Sequence, residues 1–371
     1  MPSSGRIHTL DMTRGIAVLG ILLLNIFAMG VSYYDYVPFS TPSWGDKLGQ
    51  LCYYFLLRDR FITLFAMLFG VGLYLQWHSF AGQTHLLKRR LYWLLLFGLL
   101  HRIFVWPGDI LFNYAICGLI LLRYLSQPPQ QQLVMALRFI AMGILLCIAS
   151  SLLLYDLEPV TRESSDFLDS YAAWTGAYSD RLQMQLDLAI ADAVLFPLTY
   201  MWLLLGLMLL GCYGFRQQWF TQGLSRYRHW LLPASLLMSA IAYPIGQQDN
   251  AHLQALAEAL LSLAAIPMSI WLIHCIAHSQ AQGRFAQRLQ AVGKIPLSLY
   301  LLQSLLGTWL LRDLVPQLNL TLHWFGYIGI ALLGCLLQLW LAPLWLKFFR
   351  QGPLEWLWRR LAFGANYQPH N

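Results

Sequence analysis

Long apolar stretches follow one another along almost the whole of this 371-residue chain. A transmembrane helix needs about 20 consecutive, mostly apolar residues, and about ten segments of the sequence meet that requirement. Inside a bilayer the backbone must satisfy its own hydrogen bonds, and a helix does so within one segment. We therefore predict an all-α, polytopic transmembrane helix bundle with spanning segments 12–33, 48–78, 88–105, 109–125, 132–155, 187–213, 229–246, 251–278, 291–311 and 322–346.

Charged residues are rare and unevenly distributed. Hydrophobic residues make up 58% of the chain and charged residues 11%, which lies outside the range of soluble globular proteins. Lys and Arg are concentrated in alternate connections, beginning with Arg6, and such residues are retained on the cytoplasmic side. Both termini are therefore predicted to be cytoplasmic. The net charge of +7 follows from this asymmetry and indicates membrane lipids, not nucleic acid, as partners.

The chain is predicted to form one integral membrane domain over residues 1–371. A polar extracytoplasmic loop, 156–186, separates an N-terminal helix block, 12–155, from a C-terminal block, 187–346, and a cytoplasmic tail follows at 347–371. The composition of the loop predicts a short amphipathic helix over the outer face. For segment 48–78 we predict one long, partly buried helix, and the alternative is a short outer helix followed by a membrane helix from Phe61.

An acid and a base three residues apart, Asp11 and Arg14, stand where the first apolar run begins. Ionisable groups at a membrane helix are costly unless they are paired, so they mark candidate functional positions. On a helix, Asn25 falls deeper on the same face. The stripe predicts a site where the arginine binds phosphate or carboxylate. The alternative is a helix N-cap with a lipid-headgroup anchor.

A tight turn between the third and fourth segments carries His101 and Asp109. A histidine oriented by a carboxylate is the usual general base for activating a hydroxyl or an amine, so the pair is a candidate catalytic dyad. Asp109 also stands where the N-cap of the next helix belongs, and capping alone is the structural alternative.

The third group of candidates surrounds the charged run before Phe61. A buried Arg60 requires an acidic or ligand partner, so we count it among the candidate binding residues. Gly70 and Gly72 lie on a helix of otherwise large residues, where small side chains let backbones pack closely.

The ninth segment carries a polar strip. Tyr300, Gln303, Ser304 and Gly307 are spaced as neighbours on one helix face, which suits a helix that lines a cavity. Hydrogen bonding between helices is the alternative. The six cysteines show no Cys-x-x-Cys spacing, and His274 and His278 lack further ligands, so no metal site is predicted.

Several motifs occur together in a recognisable order. They are LDMTRGIAVLGILLLN at 10–25, LFAMLFG at 64–70, GDIL at 108–111, YLLQS at 300–304 and FRQGPLEWLW at 349–358. In this the chain resembles, over nearly its whole length, the YeiB-like family of bacterial inner-membrane proteins (domain of unknown function 418). The resemblance implies a multi-pass protein of the bacterial inner membrane and a family sometimes associated with transport.

The first third is more distantly similar to transmembrane acyltransferases such as heparan-alpha-glucosaminide N-acetyltransferase, through the Asp-x-x-Arg-Gly-Ile opening at Asp11. That resemblance implies an acyl group taken from a cytoplasmic acyl-CoA and passed to an acceptor on the far side. Those enzymes carry an active-site histidine before a Ser-Trp pair, whereas this chain reads FSTPSW at 39–44. His101 would take its place.

Two functional hypotheses follow. The first is a membrane-embedded transacylase in which Asp11, Arg14 and other basic residues bind the phosphates of acyl-CoA, while His101 and Asp109 serve a small-molecule or envelope acceptor. The second is a transporter, or transport-associated protein, for a small polar solute or lipid, with a cavity lined by the first, second and ninth segments. A homo-oligomer is compatible with both.

Overall fold

The computed structural model describes residues 8–364 apart from 32, 34, 152–159, 225, 280 and 281. Every regular element in this part of the chain is helical, which confirms the all-α prediction. In chain order the α-helices are α1 (His8–Asn25), α2 (Trp44–Cys52), α3 (Arg60–Ser79), α4 (Thr84–Phe104), α5 (Leu111–Leu121), α6 (Pro129–Ser151), α7 (Ser165–Thr175), α8 (Tyr178–Leu195), α9 (Tyr200–Arg216), α10 (Trp219–Gln222), α11 (Arg228–Gly246), α12 (Ala251–His278), α13 (Arg284–Lys294), α14 (Pro296–Thr308), α15 (Leu318–Thr321), α16 (Trp324–Phe348) and α17 (Pro353–Phe363).

Among the described residues, four helices are long and apolar enough to cross a membrane: His8–Ala28, Pro129–Ser150, Ala251–His278 and Trp324–Phe348. A fifth span results if α8 and α9, which are bent by 63°, are taken as one. The other predicted segments form shorter, more polar or interrupted helices. For example, the 11 residues of α5 rise only about 16 Å, against about 30 Å of bilayer hydrocarbon. The protein is thus a helical membrane protein, and ten spans remain a prediction.

The prediction of one long helix over 48–78 is wrong. The chain forms α2, then a π-helical turn over Tyr53–Leu57, and begins α3 only at Arg60. Asp59 interrupts the helix in the left-handed conformation, with φ 62°, which Asp tolerates better than most residues. Its carboxylate accepts a hydrogen bond from Ser262 on α12 at 2.7 Å, and this contact holds the break in place.

Two other predicted segments are also divided. Segment 187–213 lies on α8 and α9, which are separated by a 3₁₀ turn containing Pro197. Segment 291–311 lies on α13, α14 and a π-helical turn that begins at Trp309. Before α8, helix α7 buries Phe167 and Trp174 and exposes Asp169, so the polar stretch between the two blocks contains an amphipathic helix.

Glycines mark the closest approaches between helices. A Cβ at Gly15 would lie 2.1 Å from the Leu289 carbonyl oxygen, and one at Gly293 would lie 1.8 Å from the Asp11 carbonyl oxygen, so α1 and α13 meet with nothing between their backbones. Gly70 on α3 approaches α9 in the same way, as the sequence predicts. Gly72 does not, because a Cβ there would meet no atom within 4 Å.

The long helices α1, α3 and α16 run between two chemically different ends of the bundle. Arg14 lies near the start of α1 and Gln76 near the end of α3, and we call this side the basic end. Tyr36 follows α1, Arg58 precedes α3 and Trp324 begins α16, and we call that side the aromatic end. The 18 residues of α1 alone separate the two ends by about 27 Å.

Candidate functional site

A cavity of about 250 Å³ lies among α1, α3, α4, α5, α13, α14 and α17, and we call it the central cavity. Three basic side chains, Arg14, Arg90 and Lys294, line it, and all three lie at or near helix termini of the basic end. Most of the remaining lining is apolar or aromatic, and includes Phe65, Leu68, Phe69, Gly72, Leu73, Leu91, Leu94, Leu111, Tyr114, Leu297 and Trp358. This lining suits an amphiphile with an anionic head and an apolar chain.

We call the part of the cavity lined by Arg14, Arg90 and Lys294 its mouth, and the two arginines there are held in defined positions. Arg14 donates a hydrogen bond to Asp11 at 3.2 Å, and 24% of its side chain remains exposed. The Arg90 guanidinium lies over the Trp358 ring, 3.8 Å from its centroid. The Trp358 indole N–H in turn donates to the Arg90 carbonyl oxygen at 2.7 Å. Both guanidinium groups are therefore oriented before any ligand binds, which lowers the entropy cost of binding an anion.

One acidic residue, Glu355 on α17, also lines the central cavity. Its carboxylate accepts hydrogen bonds from the backbone N–H groups of Leu297 and Ser298, at 2.7 and 3.1 Å. The charge of Glu355 therefore caps the N-terminus of α14, where a negative group is favourable. Three basic side chains against this one carboxylate leave the lining of the cavity with an excess of positive charge.

His101, Asp109 and Ser304 form a linear hydrogen-bonded array in the interior. Asp109 Oδ1 lies 2.8 Å from His101 Nδ1, and Ser304 Oγ lies 2.6 Å from His101 Nε2. The second carboxylate oxygen of Asp109 accepts from the Phe112 backbone N–H at 2.9 Å. Asp109 therefore both caps α5 and orients the imidazole. With Nδ1 protonated toward the carboxylate, Nε2 is placed to accept the serine proton.

Tyr300 connects this array to the central cavity. Its ring lines the cavity and lies 5.7 Å, centroid to centroid, from the His101 ring. The Tyr300 hydroxyl accepts from the Ile110 backbone N–H at 3.1 Å, beside Asp109. His101 and Ser304 are almost fully buried, and neither lines the cavity. The Tyr300 ring is thus the part of the cavity wall that lies next to His101.

Arg60 is not part of this site. Its guanidinium donates to Ser239 Oγ at 2.5 Å and to the Arg58 carbonyl oxygen at 2.6 Å. The Arg60 carbonyl oxygen accepts from Ser269 at 2.9 Å. These contacts join the start of α3 to α11 and α12, so Arg60 has the structural role of holding three helices together.

Asn25 and Gln303 also lie apart from the central cavity. Asn25 is the last residue of α1, near the aromatic end. The Gln303 amide donates to the Val18 carbonyl oxygen at 3.1 Å and to Gln338 Oε1 at 2.8 Å. It therefore joins α14 to α1 and α16, which is the interhelical bonding that the sequence left open.

Several lining residues were missed by sequence reasoning. Arg90 belongs to the run Lys88-Arg89-Arg90, which indicates a basic cytoplasmic connection but does not single out Arg90. Glu355 and Trp358 lie in the segment predicted as a tail, although α17 packs against α4 and α14. The only available signal was the motif FRQGPLEWLW at 349–358, whose glutamate and tryptophans are unusual for a solvated tail.

A second polar cluster surrounds Asp46 at the aromatic end. Its carboxylate accepts hydrogen bonds from Ser43 Oγ at 2.7 Å, Tyr36 Oη at 2.8 Å, His323 Nδ1 at 2.7 Å and the Trp324 backbone N–H at 3.0 Å. Burial opposes ionisation, but the hydrogen bonds from Trp324, Ser43, His323 and Tyr36 outweigh it and hold the pKa of Asp46 well below its usual range. The carboxylate thereby fixes α2 to the start of α16.

This cluster predicts a stability that decreases in acid. The folded-state pKa of Asp46 is depressed, whereas an unfolded aspartate titrates near about 3.9. The ionised carboxylate therefore stabilises the fold above about pH 4, and that contribution is lost as the pH falls through the folded-state value. We expect Asp46→Asn to lower the unfolding temperature at neutral pH and to weaken its decrease in acid. Thermal unfolding in detergent at several pH values measures this, with the exposed Asp169→Asn as control. Equal acid sensitivity of wild type and Asp46→Asn would contradict it.

Fold and site together define an all-helical integral membrane protein with an amphipathic, basic-mouthed cavity. The chain belongs to the YeiB-like DUF418 family. A family model described as "Protein of unknown function (DUF418)" matches residues 214–365, which contain α14 and α17. The chain is similar to uncharacterized protein YeiB of Escherichia coli (strain K12), with 30% identity over 403 residues and 96% of each chain covered. It is also similar to uncharacterized protein YxaH of Bacillus subtilis (strain 168), with 27% identity over 393 residues, covering 98% of this chain and 96% of the relative.

Proposed function

We propose that this protein is a transmembrane transacylase of the bacterial inner membrane, which moves an acyl group from cytoplasmic acyl-CoA to an extracytoplasmic acceptor. The proposal includes ten spans and cytoplasmic termini, with the basic end facing the cytoplasm in agreement with the distribution of Lys and Arg. One observation carries it: the Ser304–His101–Asp109 array adjoins the wall of an amphipathic cavity whose mouth is basic.

The central cavity accounts for recognition of the donor. Arg14, Arg90 and Lys294 would bind the phosphates of the carrier, because arginine matches phosphate geometry and lysine supplies a point charge. The acyl chain would lie deeper, against α3, α4 and α5, where the lining is apolar. Binding in this direction brings the thioester toward Tyr300. The Tyr300 ring must then turn aside for the thioester to reach Ser304.

The buried array accounts for the chemistry. His101 Nε2 takes the proton of Ser304 as its Oγ attacks the thioester carbonyl, and Asp109 stabilises the resulting imidazolium. The proton passes to the leaving thiolate, so coenzyme A departs as a thiol and the acyl group remains as an ester on Ser304. An acceptor hydroxyl or amine then attacks this ester. His101 removes the acceptor proton and returns it to Ser304.

A transporter is the second candidate, and the lining of the cavity favours it over other non-enzymatic roles. The lining includes residues of α1, α3 and α14, the helices that the transport hypothesis requires. Because the lining is largely apolar, the transported molecule would be an anionic lipid and not a small polar solute. In that case His101 and Ser304 serve only as interhelical hydrogen bonds.

Ligand binding tests the proposal directly. We expect acyl-CoA to raise the unfolding temperature of the purified protein more than coenzyme A or the free fatty acid does, because only acyl-CoA has both halves of the amphiphile. Arg14→Ala and Lys294→Ala should each weaken binding about tenfold to a hundredfold, the equivalent of one charge-assisted hydrogen bond of about 1.5–3 kcal/mol. Arg288→Ala, an exposed basic position on α13, is the matched control. Absence of any shift with acyl-CoA would refute the proposal.

A further inference from the structure

A second cavity, of about 300 Å³, lies at the aromatic end, and we call it the tyrosine pocket. Tyr53, Tyr54 and Trp324 contribute aromatic rings to its lining, and Asp35, Gln50 and Arg58 contribute polar groups. The tyrosine pocket and the central cavity share no lining residue. Any ligand of the tyrosine pocket therefore binds independently of the acyl donor.

Each charged side chain that lines the tyrosine pocket already has partners within the protein, and for Asp46 these are the four hydrogen-bond donors described above. Arg58 forms ion pairs with Asp35 at 3.4 Å and with Glu258 at 2.9 Å, and it lies over the Tyr54 ring, 5.4 Å from the centroid. The Tyr53 hydroxyl donates to Asp35. A free anion would have to displace a carboxylate from Arg58. A free cation would have to compete with Arg58 for Asp35.

The hydrogen-bonding groups that remain are mixed. Asp35 keeps 46% of its side chain exposed and offers an acceptor, whereas the Gln50 and Gln247 amides offer both donors and acceptors. Tyrosine and tryptophan rings add flat contact area at low entropy cost. This combination fits a ligand with an apolar ring face and several hydroxyl groups at its edge. We propose that the tyrosine pocket binds a neutral saccharide unit on the outer side of the membrane.

The outer location of the site rests on the proposed orientation, with the basic end facing the cytoplasm, whereas saccharide binding itself is tested without an acyl donor. Wild-type protein in nanodiscs, free of sugar-based detergent, is titrated with maltose and N-acetylglucosamine, and binding is followed by saturation-transfer NMR and tryptophan fluorescence. Both signals should appear and saturate. Tyr54→Ala and the exposed Gln247→Ala should each weaken binding about tenfold, whereas Tyr92→Ala, an exposed tyrosine on α4, should not.

Three results would overturn the saccharide site. They are no binding of either sugar to folded wild-type protein, binding of phosphocholine or inorganic phosphate in place of sugar, or equal sugar binding by wild type, Tyr54→Ala and Gln247→Ala. Arg14→Ala distinguishes the two proposals, because it should weaken binding of acyl-CoA and leave saccharide binding unchanged.

Discussion

Replacing His101 with alanine is expected to lower acyl transfer by about a hundredfold to ten-thousandfold, the usual contribution of a positioned general base. Ser304 then lacks the imidazole nitrogen that lies 2.6 Å from its Oγ and is proposed to take its proton. Binding of acyl-CoA should persist, because His101 does not line the central cavity. Transfer of a labelled acyl group from acyl-CoA to isolated envelopes measures the first effect, and thermal shift measures the second. His85→Ala, at an exposed position of the same helix, is the matched control.

The Ser304→Ala variant tests whether Ser304 itself carries the acyl group. If Ser304 carries the acyl group, wild-type protein incubated with acyl-CoA and no acceptor should gain the mass of one acyl chain on the peptide containing Ser304. Ser304→Ala should gain none. The double variant His101→Ala, Ser304→Ala should be no slower than either single variant, because residues that act as a unit are non-additive. Full activity of Ser304→Ala would show that the acyl group passes directly from acyl-CoA to the acceptor. Full activity of His101→Ala would refute the enzymatic proposal.

The sequence could predict features that depend on one helix at a time. Apolar length predicts the all-α fold, and the spacing of His101 and Asp109 across a short turn predicts their proximity. Tyr300, Gln303 and Ser304 show where such reasoning ends. At about 100° per residue, Gln303 and Ser304 lie about 100° apart around α14, so they face different neighbours. Ser304 contacts His101, whereas Gln303 contacts α1 and α16.

Features that depend on several helices were not predictable in this way. Arg90 lines the cavity because α17 places Trp358 against it, and no local pattern connects positions 90 and 358. The break at Asp59 depends on one left-handed residue and its contact with Ser262, neither of which affects hydropathy. Arg60 is predicted as a binding residue because an arginine within a membrane requires an acidic or ligand partner, but its partners are hydroxyl and carbonyl groups on neighbouring elements.

Gly72 offers the second test with a large expected effect, because it lines the central cavity and has open space where a side chain would begin. Gly72→Phe should fill the cavity with an aromatic ring. We expect it to reduce acyl-CoA binding by at least about a hundredfold, since the acyl chain loses its apolar contacts. Folding should be little affected. The unfolding temperature of the unliganded variant measures any effect on folding, and the further shift produced by acyl-CoA measures the effect on binding.

Gly70 lies two residues before Gly72 on α3 and provides a control for the effect of adding a side chain to this helix. A Cβ at Gly70 would lie 2.1 Å from the Met208 carbonyl oxygen, so Gly70→Ala should destabilise the protein by about 1–3 kcal/mol through overpacking. Any folded Gly70→Ala protein should still bind acyl-CoA, because Gly70 does not line the cavity. Undiminished binding by Gly72→Phe would show that the acyl chain lies elsewhere. If Gly72→Phe loses acyl-CoA binding while His101→Ala retains it, acyl-CoA is recognised in the central cavity. The chemical step would then belong to the buried array of His101, Asp109 and Ser304.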